Sequence, residues 1–301
     1  YGVESGSPQM RAVLGKPLKT DHIKTAFSLT HRFGILARAY FIYGAPGETW
    51  ETIQETVTLL KEIKPLVVIS YILEIYPGTQ LYADFLARTN QTDDMWLERI
   101  EGICHFEVDP SLTQDDVLAF GRAIREALYA NLSGFADALV LVDDPAFYDM
   151  HGDFCSRLAM TFSHGDYANI EQITGRREIA ENLFKRALSY VPMERAFLGL
   201  ALLKQGDGNV QETVRLLEEG LGHFPESEGL NICLGTHHMN RGKFTEALRI
   251  LHRFEQSPQA LHRIALCYQA LGDAKQEAVF RDKARSFEKR SKSLTKTESC
   301  G

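Results

Sequence analysis

The sequence predicts two architectures in tandem: an α/β segment of parallel strands and crossover helices over residues 1–131, then an all-α segment of repeated helix pairs. Three observations carry this. In the first part, apolar runs that end in glycine- or proline-containing turns alternate with amphipathic helical patterns. In the second, Pro192, Pro225 and Pro258 recur at a spacing of 33 residues, each after a helical pattern. A length of 301 residues with 44% apolar residues is enough to bury two cores.

Taken in order, Tyr1-Gly2-Val3-Glu4-Ser5-Gly6-Ser7 reads as the end of a strand handing over to a loop at Glu4, so the chain is expected to begin inside a longer protein. Asp21 is placed to cap a helix carrying Ile23, Ala26, Phe27 and Leu29, which stops at Gly34, where a left-handed residue costs least. The apolar and aromatic run 35–43, ending in Gly44-Ala45-Pro46-Gly47, reads as a buried parallel strand. Thr49 caps the next helix, whose apolar face is Ile53, Val57, Leu60 and Ile63, with Glu51, Glu55, Lys61 and Glu62 on its other faces. Pro65 closes it and 66–75 supplies a third strand. The turn Tyr76-Pro77-Gly78-Thr79 leads to a short helix with Leu81, Tyr82, Phe85 and Leu86. Residues 90–110 read as an irregular wrap containing Trp96, Phe106, Asp109 and Pro110. Ser111 or Thr113 then starts a helix with Val117, Phe120, Ile124 and Leu128 on one stripe, closing the first domain near Asn131. Periodicity alone leaves barrel and open sheet undecided. In both, Glu4-Ser5, 44–48 and 74–79 lie at the carboxyl ends of parallel strands, where ligands bind.

Residues 132–175, with Gly134 and Asp143-Asp144-Pro145, read as a linker with transition helices. Over 176–290, Ala180, Phe184 and Ala187 precede Pro192, and Ala247, Leu251 and Phe254 precede Pro258, while Gly206-Asp207-Gly208, Gly242 and Gly272-Asp273 break the helices between prolines. Small residues one turn from large apolar ones let helices approach and interdigitate. The pattern resembles tetratricopeptide repeats. It is degraded at 213–225, where Thr213, Leu217 and Gly220 stand at its positions. That resemblance implies a stacked helical array offering an extended surface to a protein partner or a macromolecular substrate. A basic tail, 291–301, ends a stretch in which Arg281, Lys283, Arg285, Lys289, Arg290, Lys292 and Lys296 read as a solvated, fraying end.

A net charge of -7 argues against a nucleic-acid surface, which needs concentrated positive charge. No apolar run approaches the roughly 18 residues of a membrane span. Five cysteines, Cys104, Cys155, Cys233, Cys267 and Cys300, are scattered and odd in number, which points to free thiols in a reducing, cytoplasmic setting. None has the close spacing of a zinc or iron–sulfur loop. The adjacent His237 and His238 point different ways on a helix. No catalytic residue and no metal ligand is assigned.

The candidate ligand contacts sit in the strand-end segments. Glu4, beside Ser5 and Gly6, offers a carboxylate to a sugar diol, with Gly6 allowing close approach; a surface-loop acid is the alternative. Gly44, after Tyr43, brings backbone groups close to a flat ligand, and Glu48 follows in the same turn. Those residues serve equally well as a turn and a helix cap. Tyr76 repeats the design one strand later, as a ligand contact or as a packing aromatic.

Gly2-Val3-Glu4-Ser5-Gly6-Ser7 continuing to Gly15-Lys16-Pro17-Leu18, Phe41-Ile42-Tyr43-Gly44-Ala45-Pro46-Gly47-Glu48-Thr49, and Tyr76-Pro77-Gly78-Thr79 together resemble the radical SAM enzymes. The nearer likeness is to the subgroup that carries an upstream cobalamin-binding domain, including magnesium-protoporphyrin cyclase-like members. Over about 1–130 the resemblance implies the C-terminal βα units of a partial, TIM-like barrel. It implies that Glu4 contacts the S-adenosylmethionine ribose and that the Gly44 segment flanks its adenine or methionyl part. Related members carry an Asp where Tyr40 stands here. For the parent it implies reductive cleavage of S-adenosylmethionine with a 4Fe-4S cluster, in radical or methyl-transfer chemistry on an unspecified substrate, with cobalamin as a further cofactor. The CxxxCxxC loop that would hold the cluster is not in this sequence, so the fragment alone is expected to be inactive. The competing expectation is a non-catalytic protein-binding module made of a degenerate half-barrel and helical repeats.

Overall fold

A computed structural model of the chain describes residues 1–99, 101–108 and 111–298, with the side chains of 288–298 outside that description. The chain divides into two compact units, one of residues 1–154 and 164–179, the other of 155–163 and 180–301.

The first unit is built on three parallel strands, β1 (Gly2–Glu4), β2 (Arg38–Tyr43) and β3 (Val67–Ile72), in that spatial order. The helices α1 (Pro8–Val13) and α2 (Thr20–Arg32) join β1 to β2, and α3 (Trp50–Ile63) joins β2 to β3. Arg38 pairs with Val67 and Tyr43 with Ile72, and a register shift between Gly2 and Glu4 bends the end of β1. Sheet burial departs from the expected continuous apolar strand. Ala39, Phe41 and Tyr43 are buried while Arg38 is exposed and Tyr40 and Ile42 are half-buried, so β2 has one covered face and one open face. Each fully buried side chain such as Phe41 is worth about 1.5–3 kcal/mol.

Thr49 caps α3 through a reciprocal box with Thr52, a device worth about 1 kcal/mol. Asp21 does not cap α2. The helix begins one residue earlier, Lys19 occupies the cap position without a side-chain bond, and Asp21 sits within the first turn, where its charge suits the helix dipole. Gly34 follows α2 with φ of 70°, as the stop signal required. The expected strand 66–75 is broken at Leu73. Beyond it, β4 (Glu74–Ile75) turns away to pair antiparallel with β5 (Ile103–Cys104). This ribbon and α4 (Gln80–Thr89) enclose a small core of Ile75, Tyr82, Phe85 and Ile103, against which Trp96 packs. The irregular wrap is thus a satellite core; Asp109 and Pro110 lie outside the described residues. Thr113 and Asp116 form the box that starts α5 (Gln114–Asp137). That helix passes Asn131 and keeps Gly134 inside it, so no boundary falls at either residue.

The helix α6 (Tyr148–Ser163) straddles the division between units. Among the described residues seven α-helices follow: α7 (Arg176–Tyr190), α8 (Glu194–Gly206), α9 (Val210–His223), α10 (Glu228–Asn240), α11 (Phe244–Leu251), α12 (Pro258–Leu271) and α13 (Ala274–Glu298). The pairs α8 with α9, α10 with α11 and α12 with α13 form successive hairpins. Their turns hold Gly208, Gly242 and Gly272 at φ of 71°, 72° and 77°, a region open to glycine without strain. Glycine also sets how closely helices approach. A Cβ on Gly199 would lie 2.2 Å from the Phe184 ring, and one on Gly235 would lie 2.9 Å from Leu251. Ile232, Leu251, Leu261, Ile264 and Phe280 join a common core across the last two hairpins. Pro192 and Pro225 fall between helices, whereas Pro258 opens α12 behind the Ser257 cap. The segment expected to fray from 281 is the continuation of α13, helical through Glu298.

Candidate functional site

At the carboxyl end of β1 the chain takes an uncommon conformation. Glu4 has φ of 63°, left-handed for a residue with a side chain, which costs of the order of 1–2 kcal/mol. Its carboxylate, 15% exposed, accepts a charged hydrogen bond from Lys16 Nζ at 2.5 Å. The pair lies directly over Gly2, where a Cβ would meet Lys16 Nζ at 2.3 Å and Glu4 Oε1 at 2.5 Å. Beside Lys16 opens a cavity of about 300 Å³ with apolar walls that include Leu18, Ile23 and Phe27.

Ser5 and Gly6 serve the scaffold. The Ser5 hydroxyl, expected beside a ligand, is buried, lies 3.2 Å from Thr56 Oγ1 and accepts from Ser7 N. Gly6 N donates to Thr56 Oγ1 at 2.9 Å, and a Cβ on Gly6 would fall 2.3 Å from the Glu55 carbonyl oxygen and the Thr56 Cα. The missing side chain therefore admits the α3 backbone, not a ligand. Beneath this loop Arg11 is buried, donating to the carbonyl oxygens of Ser5, Gly6 and Leu18 and to Thr20 Oγ1. Burial lowers its pKa and the charge of Glu55 opposes that shift.

At the end of β2, Gly44 has φ of 77°, and a Cβ would stand 3.0 Å from Val117 of α5. Its N–H and that of Ala45 both donate to Glu48 Oε2. Glu48 thus folds back to close its own turn. Burial pushes its pKa up to about 7, with the two N–H donors opposing the rise. Tyr43 points away from the turn into the helical layer, where a Cβ on Gly121 would lie 2.5 Å from its hydroxyl. Tyr76 is 61% exposed and donates to Glu74 Oε2 at 2.8 Å, which raises its pKa.

The strand ends carrying Glu4 and Gly44 therefore share one end of the sheet, but their polar groups are differently committed. Glu4 forms an ion pair with Lys16, which lines a cavity, Tyr76 is open, and Ser5, Tyr43 and Glu48 are absorbed by packing and turns. Lys16 and Arg11 are the residues that the site reading missed. Lys16 stood within the Gly15-Lys16-Pro17-Leu18 motif without a role of its own and Arg11 carried no motif, and only the strand-to-loop geometry brings them to Glu4 and Ser5. Among the described residues no group of three or more His, Cys, Asp or Glu residues is arranged to hold a metal ion. No helix among them is long and apolar enough to cross a membrane.

No protein-family model matches the chain. Short stretches are similar to an uncharacterized protein of Methanocaldococcus jannaschii, 38% identical over 63 residues, and to one of Methanopyrus kandleri, 37% identical over 60 residues. An uncharacterized methyltransferase of Pyrococcus horikoshii is 32% identical over 82 residues. These matches take in 21%, 20% and 27% of this chain and only 12%, 12% and 18% of those proteins. Among solved structures, MamA of MSR-1 aligns with 59% of this chain and 95% of its own, at 18% identity and a TM-score of 0.38. MamA of AMB-1 aligns with 58% and 97%, at 18% identity and a TM-score of 0.39. Overlaps this loose carry no functional argument.

Proposed function

We propose that the chain acts as a protein-binding module through the surface made by α8, α10 and α12. One observation carries this reading: the first helices of the three hairpins are neighbours along one layer. Leu198 of α8 lies against Gly229 of α10, and Arg263 of α12 donates to Thr236 Oγ1 of α10 at 2.7 Å. Stacked hairpins stabilise mainly their nearest neighbours and leave such a layer as an extended surface. Leu266 and Arg263 stand on it, the first exposed and the second half-buried. The partner is a protein or a macromolecular substrate, in a cytoplasmic setting. The test compares partner binding by R263E and L266D with binding by E218K and R249E, which alter exposed positions on α9 and α11. Loss confined to the first two supports the module; equal loss, or none, removes it.

A second reading is favoured by the Glu4–Lys16 pair beside its cavity of about 300 Å³, a size at the lower end for small-molecule sites. In it, the α/β unit is the C-terminal portion of a partial radical SAM barrel in a larger enzyme. Opening of the 2.5 Å pair would free Glu4 and Lys16 for the amino and carboxylate groups of the methionyl part of S-adenosylmethionine, or the Glu4 carboxylate would take its ribose. The parent's 4Fe-4S cluster would supply the electron for sulfonium cleavage, with cobalamin as a further cofactor, while residues of this chain bind and orient. The described residues do not fit a cluster, so its ligands would lie beyond them. The likeness to a methyltransferase is consistent with this reading. Equilibrium binding of S-adenosylmethionine to the chain tests it: weakening by E4Q and by K16M supports it, and identical affinity in all three proteins opposes it.

A further inference from the structure

We propose that a cavity between α4, the β4–β5 ribbon and the Gly44–Glu48 turn is a binding site for a free apolar amino acid. The site is separate from Glu4 and Lys16 and rests on neither reading above. The cavity holds about 180 Å³. That is below the roughly 300–1,000 Å³ of drug-sized ligand sites and suits a small molecule of amino-acid size. Its floor is apolar: Ile75 and Phe85 are buried and Leu81 and Val108 half-buried, all on elements of the satellite core. Pro46 supplies one wall and the buried His105 another.

The rim carries one charge of each sign. Asp84 and Arg88 stand one helical turn apart on the same face of α4, both exposed, and both line the cavity. They do not neutralise each other: Asp84 accepts from Gln80 Nε2 at 2.9 Å, and Arg88 has no carboxylate partner among the described residues. A guanidinium without a carboxylate, a carboxylate with a neutral partner, and an apolar floor beside them complement a zwitterion with an apolar side chain. The α-carboxylate meets Arg88, the α-ammonium meets Asp84, and the side chain displaces water from the Ile75–Phe85 floor. Leucine, methionine and phenylalanine fit that description, whereas glycine lacks the side chain and glutamate brings a third charge to an apolar floor.

Isothermal titration of the full chain with L-leucine, L-methionine, L-phenylalanine and glycine tests this, with leucinamide and 4-methylpentanoate as analogues lacking one charge each. The expected result is saturable one-site binding of the apolar amino acids and none of glycine, with each analogue weaker by about tenfold. R88Q should abolish the preference for leucine over leucinamide, and D84N the preference over 4-methylpentanoate; both positions are exposed, and thermal unfolding checks that both variants fold. No binding of any apolar amino acid up to about 10 mM overturns the proposal. So does binding that leucinamide and 4-methylpentanoate match, or that neither variant alters.

Discussion

Lys16 Nζ lies 2.5 Å from Glu4 Oε1, and the pair crosses the Cα of Gly2. Three features meet there: a left-handed glutamate, a glycine whose Cβ would displace the ion pair from its position, and a lysine from the following turn. The backbone conformation makes the first prediction separable from the charge. Glu4→Gly and Glu4→Ala both delete the carboxylate, but only glycine relaxes φ of 63°. Urea unfolding should find E4A less stable than E4G by about 1 kcal/mol. Equal stability would mean that the strand end straightens once the ion pair is gone.

Arg11 is expected to be a structural keystone of the β1 loop. Replacing it by Met keeps the bulk and strips the donors from the Ser5, Gly6 and Leu18 carbonyls, at a cost of about 2–4 kcal/mol in denaturant unfolding. A loss under about 0.5 kcal/mol would show that water replaces the guanidinium there.

Much of the local structure was legible because it is written in near neighbours. Thr49 and Thr113 cap through residues three positions on, Gly34 ends α2 with a left-handed turn, and the hairpin glycines sit where helical patterns break. What escaped was set by distant partners. Nothing near Ser5 in the sequence announces Thr56, nothing near Tyr43 announces Gly121, and the turn of β4 toward β5 depends on Ile103, far along the chain. Ser5, offered as a ligand contact, therefore proved to have packing partners, whereas Glu48 took the turn role that stood as its alternative. Glu4 kept a polar partner in Lys16, which lines the neighbouring cavity.

Glu48 gives a pH prediction with a definite sign. Its folded pKa, about 7, lies above the ordinary carboxylate value of 4.5, so the folded state holds this proton more tightly than the unfolded chain. The associated stability is fully present below about pH 4.5, declines as pH rises and is lost above about 7, a change of the order of 3 kcal/mol. E48Q, which still accepts from Gly44 and Ala45, should lack this fall between pH 5 and pH 7 in stability measured by urea. An identical pH profile in E48Q would assign the effect to other groups.

Close helix approach in the second unit is expected to depend on Gly199. G199A drives a methyl group into the Phe184 ring and should cost about 1–3 kcal/mol in unfolding of that unit. Pairing it with Phe184→Leu should recover part of the loss. No recovery would show that the glycine matters for some reason other than the ring.

The central claim, that α8, α10 and α12 present a protein-docking surface, is tested most directly by site-specific photocrosslinking. A benzoylphenylalanine is placed at Leu202 of α8, at Leu266 of α12, at Glu218 of α9 or at Arg249 of α11. The account predicts that Leu202 and Leu266 capture one and the same protein, with capture suppressed by excess unlabelled chain, and that Glu218 and Arg249 do not. Equal capture from all four positions, or different proteins from Leu202 and Leu266, would contradict it.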